Sequence, residues 1–227
     1  MRHKGIKVVL VSSAVVLIVI VLIVLAERQF RGSETSVGTE TVHSDAEATR
    51  ETKKELEPDP FLSSGAVTVN YLTVNDYSRP GTKLRNVNAI VIHYVGNPGT
   101  TAAQNRSYFE GLKDGHGTSA SSHYIVGLDG EIIQCVPLDE ISYASNERNG
   151  DTIAIECCHP DETGKFNPAT YDSLVKLTAA LCKTYGLSPD KDIIRHYDIT
   201  GKMCPLYFVS NEDEWYGFKL AVQTQMQ

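Results

Sequence analysis

Residues 89–94 have the sequence Ala-Ile-Val-Ile-His-Tyr, a short apolar run rich in β-branched side chains. A run of this length and composition predicts a buried strand, with His93 near its end. Residues 152–157, Thr-Ile-Ala-Ile-Glu-Cys, form a second run of the same kind. This run predicts another strand, with the carboxylate of Glu156 at its end. These two strands are the basis for predicting a domain built on a β-sheet.

The segments between and after these strands add helices and a hairpin. Residues 101–113 predict a helix, and two strand-like runs, 123–127 and 131–135, flank the pair Asp129-Gly130. An Asp-Gly pair accepts positive φ angles, so this pattern predicts a β-hairpin. A long helix is predicted from Pro168 up to Gly186. Its apolar face consists of Tyr171, Leu174, Val175, Thr178, Leu181, Cys182 and Tyr185.

The end of the chain predicts a short strand and a last helix. Residues 193–194 form the strand, which leads into a loop that begins at His196. Asn211 and Glu214 predict a capped helix. Its buried face would present Trp215, Phe218 and Val222. Strands mixed with helices and a hairpin predict an α/β domain whose central mixed β-sheet is flanked by helices.

The first 66 residues have a different composition. Residues 1–7 are basic and residues 8–26 carry no charge, which predicts a cytoplasmic tail and one transmembrane signal anchor, with the following chain outside the membrane. A cleaved signal peptide and a buried core helix are the alternatives. Residues 27–66 are rich in Glu, Thr, Ser and Ala and predict a flexible acidic stalk. The folded domain is then residues 67–227, at the cell membrane and on the side of the wall or periplasm.

Charge and cysteine content exclude two classes of protein. The formal net charge is −7, and the folded part is itself acidic, so the chain lacks the basic surface of a nucleic-acid-binding protein. Five cysteines in 227 residues do not form a disulfide scaffold, although one disulfide is compatible with them. Cys157 and Cys158 are neighbours and would point to opposite faces of a strand.

The clearest candidates for chemistry lie in residues 196–205, His-Tyr-Asp-Ile-Thr-Gly-Lys-Met-Cys-Pro. Histidine and cysteine are both good zinc ligands, and this loop is long enough to bring His196 and Cys204 to one ion. His93 could supply a third ligand. Three protein ligands that leave one position open are typical of a catalytic zinc site, whereas structural sites usually have four.

Four segments in this order resemble one family: residues 89–100, 121–130, 152–156 and 196–205. Over residues 67–220 the chain is similar to the zinc-dependent N-acetylmuramoyl-L-alanine amidases of the type 2 group, which are related to phage T7 lysozyme and the peptidoglycan recognition proteins. The resemblance implies their fold, a peptidoglycan substrate, and zinc ligands His93, His196 and Cys204. It also implies that Glu156 and Lys202 form the catalytic pair.

The implied reaction hydrolyses the amide bond between N-acetylmuramic acid and the L-alanine of the stem peptide. Glu156 would move the proton from water to the departing nitrogen, and Lys202 would stabilise the developing oxyanion. The chain departs from the phage lysozyme branch at Ser122, where that branch has a tyrosine that assists catalysis. Ser122 is therefore given no role, Tyr124 is expected to pack in the sheet, and His123 and His159 stay open.

Two other functions are compatible with parts of this pattern. A peptidoglycan-binding module of the same fold would bind the wall without cutting it, but such members tend to lack the cysteine ligand that Cys204 provides. A thiol peptidase would use Cys204 with a histidine and Glu156. A thiolate that binds zinc is not available as a nucleophile, so metal dependence distinguishes the two enzymes.

Overall fold

The computed structural model describes residues 57–115 and 117–227. The predicted tail at residues 1–7, the predicted span at 8–26 and the predicted stalk up to residue 56 lie outside the described residues. Among the residues that are described, no helix is both long and apolar enough to cross a membrane. The anchor and its orientation remain predictions.

Six strands form one mixed sheet in the described part of the chain, in the order β1-β4-β3-β5-β2-β6. They are β1 (Val67–Val69), β2 (Ala89–Tyr94), β3 (Tyr124–Val126), β4 (Ile132–Gln134), β5 (Thr152–Cys157) and β6 (Ile193–Arg195). The β3–β4 pair is antiparallel, and the other neighbouring pairs are parallel. This confirms the predicted mixed sheet and the bounds of both central strands.

Six α-helices flank the sheet in the described part of the chain. They are α1 (Ala102–Gly111), α2 (Pro168–Tyr185), α3 (Pro189–Asp192), α4 (His196–Thr200), α5 (Leu206–Ser210) and α6 (Glu212–Gln225). Three short 3-10 helices occur at Pro60–Ser63, Leu112–Asp114 and Asn146–Arg148. The long predicted helix is α2, which begins after Asn167 and ends at Gly186, where φ is 65°.

The core consists of two apolar clusters. The larger contains side chains of the central strands packed with α2 and α6, and the smaller lies under α1. Cys157 belongs to the first cluster and Cys158 to the second, which agrees with their predicted opposite directions. All five cysteines are buried free thiols. Trp215, Phe218 and Val222 are buried as predicted.

Two predictions near the end of the chain need correction. The loop expected from His196 is the short helix α4, because the Asp198 carboxylate accepts the backbone N–H of Arg195 at 2.8 Å and Gly201 ends the helix with a φ of 76°. The last helix begins where Asn211 predicted, but that side chain makes no cap. Its amide donates instead to the carbonyl of Tyr207 at 2.9 Å.

The last residues of the predicted stalk contact the domain. Phe61 and Leu62, in the 3-10 helix Pro60–Ser63, pack against the larger core cluster. The backbone N–H of Asp59 donates to the hydroxyl of Thr184 in α2 at 3.0 Å. Ordered packing therefore begins before Val67.

The hairpin between β3 and β4 provides a test of the fold. Gly130 has a φ of 81°, and a Cβ there would lie 2.9 Å from the carbonyl oxygen of Ala169 in α2. We expect Gly130→Ala to lower the free energy of unfolding by about 2–4 kcal/mol, because left-handed strain of about 1–2 kcal/mol adds to overpacking.

Gly115→Ala is the matched control for this measurement. Gly115 has a φ of 88°, but a Cβ there would meet no atom of the described residues within 4 Å. This variant should lose only about 1–2 kcal/mol, which is the strain alone. Equal losses for the two variants in urea denaturation would contradict close packing of the hairpin on α2.

Candidate metal centre

The sheet register brings the two predicted histidine ligands together. In the parallel pair of β2 and β6, Ile92 is the partner of Arg195. His93 and His196 are the residues that directly follow this pair, and their ring centroids lie 4.7 Å apart. Both side chains are buried. The histidines thus meet at the carboxyl ends of adjacent parallel strands.

The segment after α4 places Cys204 close to these histidines. The backbone N–H of Tyr197 donates to the carbonyl of Cys204 at 2.9 Å, which closes the segment into a loop. The thiol of Cys204 is buried, and its Sγ lies 3.8 Å from Nδ1 of His93. Ligand atoms of His93, His196 and Cys204 all lie within 4.8 Å of one another.

The three ligand atoms have a separation that suits zinc. Zinc–sulfur bonds of about 2.3 Å and zinc–nitrogen bonds of about 2.0–2.1 Å, at a tetrahedral angle, separate the two ligand atoms by about 3.6 Å. The observed 3.8 Å between Sγ and Nδ1 is close to this distance.

The protonation chemistry of the site also favours a cation. Burial lowers the pKa of His93 and His196, so both rings tend to be neutral, the form that binds metals. Burial raises the pKa of the Cys204 thiol to about 12, and the charge of Glu156 acts in the same direction. A buried thiolate therefore needs a compensating positive charge. A zinc ion bound by all three residues would supply it.

Glu156 and Lys202 border the same centre. Glu156 is the register partner of His93 in β5, and its Oε2 is buried with no hydrogen-bond partner in the described chain. Burial raises the pKa of Glu156 to about 8, against the opposing charge of Lys202. Lys202 is exposed, and its charge also lowers the pKa of both histidines. All five predicted site residues are therefore neighbours.

The residues to which the sequence assigned no role are explained in part by packing. The Ser122 hydroxyl is buried and donates to the carbonyl of Tyr124 at 2.8 Å. His123 is also buried: its Nε2 donates to the carbonyl of Glu140 at 2.9 Å, and its Nδ1 accepts the backbone N–H of Ala154 at 3.0 Å. Burial lowers the pKa of His123 to about 4. Both residues stabilise the sheet.

His159 lies closer to the candidate site than the sequence indicated. Its ring centroid is 5.0 Å from that of Tyr94, and its Nδ1 lies 2.8 Å from the carbonyl oxygen of Asp161. Tyr94 directly follows the candidate ligand His93 in β2. His159 therefore packs on the residue next to the candidate metal centre.

Asn146 is a site residue that the sequence reasoning missed. The Nε2 of His196 donates to Oδ1 of Asn146 at 2.9 Å, across 50 positions of sequence. The surrounding residues, Ser-Asn-Glu-Arg-Asn, are typical of an ordinary polar loop and gave no signal. A cavity of about 300 Å³ opens beside Asn146 and is lined by Ser119, Tyr143, Ala144, Asn146 and Asn149.

Comparison with known proteins gives a consistent result. Residues 83–206 match the family model Amidase_2, described as N-acetylmuramoyl-L-alanine amidase. The chain is 36% identical over 171 residues to the N-acetylmuramoyl-L-alanine amidase CwlL of Bacillus licheniformis, covering 70% of this chain and 47% of that protein. It is 35% identical over 179 residues to the N-acetylmuramoyl-L-alanine amidase BlyA of Bacillus subtilis, with the same coverage. The chain thus spans about half the length of the curated relatives it matches.

A solved structure shows the same fold. The catalytic domain of XlyA aligns with a TM-score of 0.57 at 24% identity, covering 69% of this chain and 98% of that domain. At this identity the similarity concerns the arrangement of the sheet and helices alone. It agrees with the central mixed sheet flanked by helices described above.

The ligand set predicts one zinc ion per chain. Elemental analysis of the purified full chain should give about one equivalent of zinc, and chelation should lower the melting temperature because metal binding stabilises the fold. Cys204→Ala should reduce zinc affinity more than about 100-fold, since loss of an outer hydrogen-bond partner alone costs about 10–100-fold.

Cys182→Ala is the control for this substitution. Cys182 is also a buried free thiol, but it lies in α2 within the core and not among the ligands. This variant should lose stability while keeping wild-type zinc affinity. Full zinc occupancy in Cys204→Ala would show that the thiol is not a ligand.

Proposed function

The chain belongs to the Amidase_2 family of N-acetylmuramoyl-L-alanine amidases, and we propose that it hydrolyses the bond between N-acetylmuramic acid and the L-alanine of the stem peptide in peptidoglycan. One observation carries this proposal: three zinc-type ligands meet beside the buried carboxylate of Glu156 at one end of the sheet. The similarity to the XlyA catalytic domain supports the finer assignment to the amidase fold of T7 lysozyme and the peptidoglycan recognition proteins.

The site residues would have different roles in the hydrolysis. His93, His196 and Cys204 would hold zinc, which when bound acidifies water and polarises a carbonyl group. Three protein ligands are the number typical of catalytic zinc sites, whereas structural sites usually have four. The cavity beside Asn146, the partner of His196, is lined by Ala144 and four uncharged polar residues, which suits the amides and hydroxyls of a glycopeptide.

Glu156 would carry the proton. Because burial raises its pKa to about 8, the carboxyl group can both accept and release a proton near neutral pH. Its unpartnered Oε2 leaves an atom free for this exchange. Glu156 would accept the proton of the attacking water and then give it to the departing amine nitrogen.

Lys202 would stabilise the negative charge that develops on the carbonyl oxygen. It is exposed, two residues before Cys204, and its charge influences the pKa of Glu156 and of both histidines. A positive charge aimed at the developing oxyanion lowers the barrier because the interaction strengthens in the transition state.

A thiol peptidase is the second candidate, since Sγ of Cys204 lies 3.8 Å from Nδ1 of His93. Its thiol, however, is only 2% exposed, and burial raises its pKa to about 12. A nucleophilic thiol needs a lowered pKa and access to substrate. The burial and the third ligand, His196, therefore favour the zinc enzyme. A binding-only module would not need Glu156 and Lys202 beside the ligands.

We also propose that residues 8–26 anchor the chain in the cell membrane, with the amidase domain in the cell wall or periplasm. The support is the uncharged 8–26 segment behind the basic residues 1–7. The part of the predicted stalk that precedes the packed segment at Asp59 would then tether the domain within reach of its peptidoglycan substrate.

The catalytic pair can be separated from the metal ligands by mutation. Glu156→Gln keeps the shape but removes the base, so we expect zinc to stay bound while kcat falls about 10²–10⁴-fold. Lys202→Ala should also spare the metal and lower kcat more than it changes KM. Release of free L-alanine amino termini from purified peptidoglycan, checked by mass analysis of the products, measures both effects.

Charge-matched controls come from residues away from the site. Glu57→Gln and Lys191→Ala remove exposed charges of the same sign and should leave turnover within about twofold of wild type, as expected for solvated surface groups. If Glu156→Gln cleaved at the wild-type rate, the proton-carrier role would be wrong. Wild-type protein that bound peptidoglycan without releasing amino termini would support the binding module.

The proposed membrane topology can be tested separately. Protease added to intact protoplasts or spheroplasts should release the domain from about residue 30 onward, because a single span with a cytoplasmic N-terminus leaves the domain outside. A protected domain would reverse the orientation. A soluble form with a new N-terminus near residue 27 would instead favour a cleaved signal peptide.

A further inference from the structure

The hydrogen bond between His196 and Asn146 joins a candidate metal ligand to a distant loop. Nε2 of His196 lies 2.9 Å from Oδ1 of Asn146. A carbonyl oxygen can only accept, so Nε2 must carry the proton in this geometry. In a neutral imidazole the other nitrogen, Nδ1, then has the free lone pair. The bond therefore selects the tautomer in which Nδ1 can bind a metal.

The backbone of Asn146 is held in an unfavourable conformation. Its φ is 51°, and among the described residues it is the only non-glycine residue with a positive φ. The left-handed region costs an L-residue about 1–2 kcal/mol, less for asparagine than for most others. Residues kept in such conformations cluster at functional sites, because the surrounding structure has to impose them.

Neighbouring residues impose this conformation. Oδ1 of Asn149 accepts the backbone N–H groups of Ala144 and Ser145 at 3.1 and 2.6 Å, which fixes the chain just before Asn146. The guanidinium of Arg148 contacts the carboxylate of Asp151 at 2.8 Å and connects the loop to the start of β5. The loop thus presents the Asn146 side chain to His196.

Packing does not explain an asparagine at this position. Asn146 is exposed, so its side chain contributes little to the apolar core. For backbone conformation alone, glycine would be the better residue at this φ. The bond to His196 is the contact that requires a side-chain acceptor here.

We propose that Asn146 is a positioning residue of the metal centre, which orients the His196 ring and fixes its Nε2–H tautomer so that Nδ1 faces the metal. This inference rests on the zinc site of the proposed function. Histidine ligands commonly donate their second ring N–H to such a partner, and loss of the partner weakens metal binding about 10–100-fold. Asn146 therefore acts through His196 and does not itself need to contact zinc or substrate.

Two substitutions of Asn146 separate the effect of its side-chain acceptor from the effect of its backbone conformation. Asn146→Gly removes the acceptor while relieving the backbone strain, so the metal-free full chain should be as stable as wild type or more stable, yet bind zinc about 10–100-fold more weakly. Asn146→Asp keeps an acceptor oxygen and should bind zinc at least as tightly as wild type. A loop residue with a purely structural role would give parallel changes in stability and zinc affinity.

The measurements are zinc competition with a chromogenic chelator, thermal unfolding of the metal-free full chain, and ¹⁵N chemical shifts of the His196 ring. In the metal-free wild type the shifts should show the Nε2–H tautomer, and Asn146→Gly should show a mixture. Asn86→Gly is the control, because Asn86 is an exposed asparagine before β2, at the end of that strand away from His93.

The outcomes distinguish this inference from the proposed function. Wild-type zinc affinity and an unchanged tautomer in Asn146→Gly would overturn the role of Asn146 and leave the zinc site intact. A wild-type chain that bound no zinc would overturn both. Weaker zinc binding in Asn146→Gly, restored in Asn146→Asp and absent in Asn86→Gly, is the result that supports it.

Discussion

The parallel register of β2 between β5 and β6 is the constraint on which the site depends. It pairs His93 with Glu156 on one side and Ile92 with Arg195 on the other, so that His196 follows directly at the same edge. The carboxyl ends of these parallel strands lie at the same end of the sheet. His93, Glu156 and the start of α4 therefore lie close together there. A slip of one residue in either pair would turn these side chains to the opposite face and dismantle the site.

Burial then determines the protonation states of the groups at this site. The same desolvation that keeps both histidines neutral raises the pKa of the Cys204 thiol to about 12 and that of Glu156 to about 8. Two acidic groups held side by side in a buried site favour their protonated forms unless a cation is present. A bound metal would reverse this preference for the thiol, so folding and metal binding should stabilise each other.

The sequence predicted those parts of the molecule whose signals are local. The runs at 89–94 and 152–157 gave both central strands with their bounds, and the resemblance named the three ligand candidates that the structure brings together. The sequence missed α4, since a helix of five residues depends on the Asp198 contact and not on periodicity. It also missed Asn146, because a hydrogen bond across 50 positions leaves no pattern in either segment.

The positions of the other cysteines explain why Cys204 is the thiol available to a metal. Cys157 is next to Glu156, yet strand alternation turns its side chain into the larger core cluster, and Cys158 points into the smaller one. Burial raises the pKa of Cys135, Cys158 and Cys182 to about 12, so these thiols stay protonated and compete poorly for a cation. Cys204 shares that raised pKa but faces two histidine rings. In this chain the neighbouring residues, and not burial, therefore distinguish the candidate ligand Cys204 from the structural thiols.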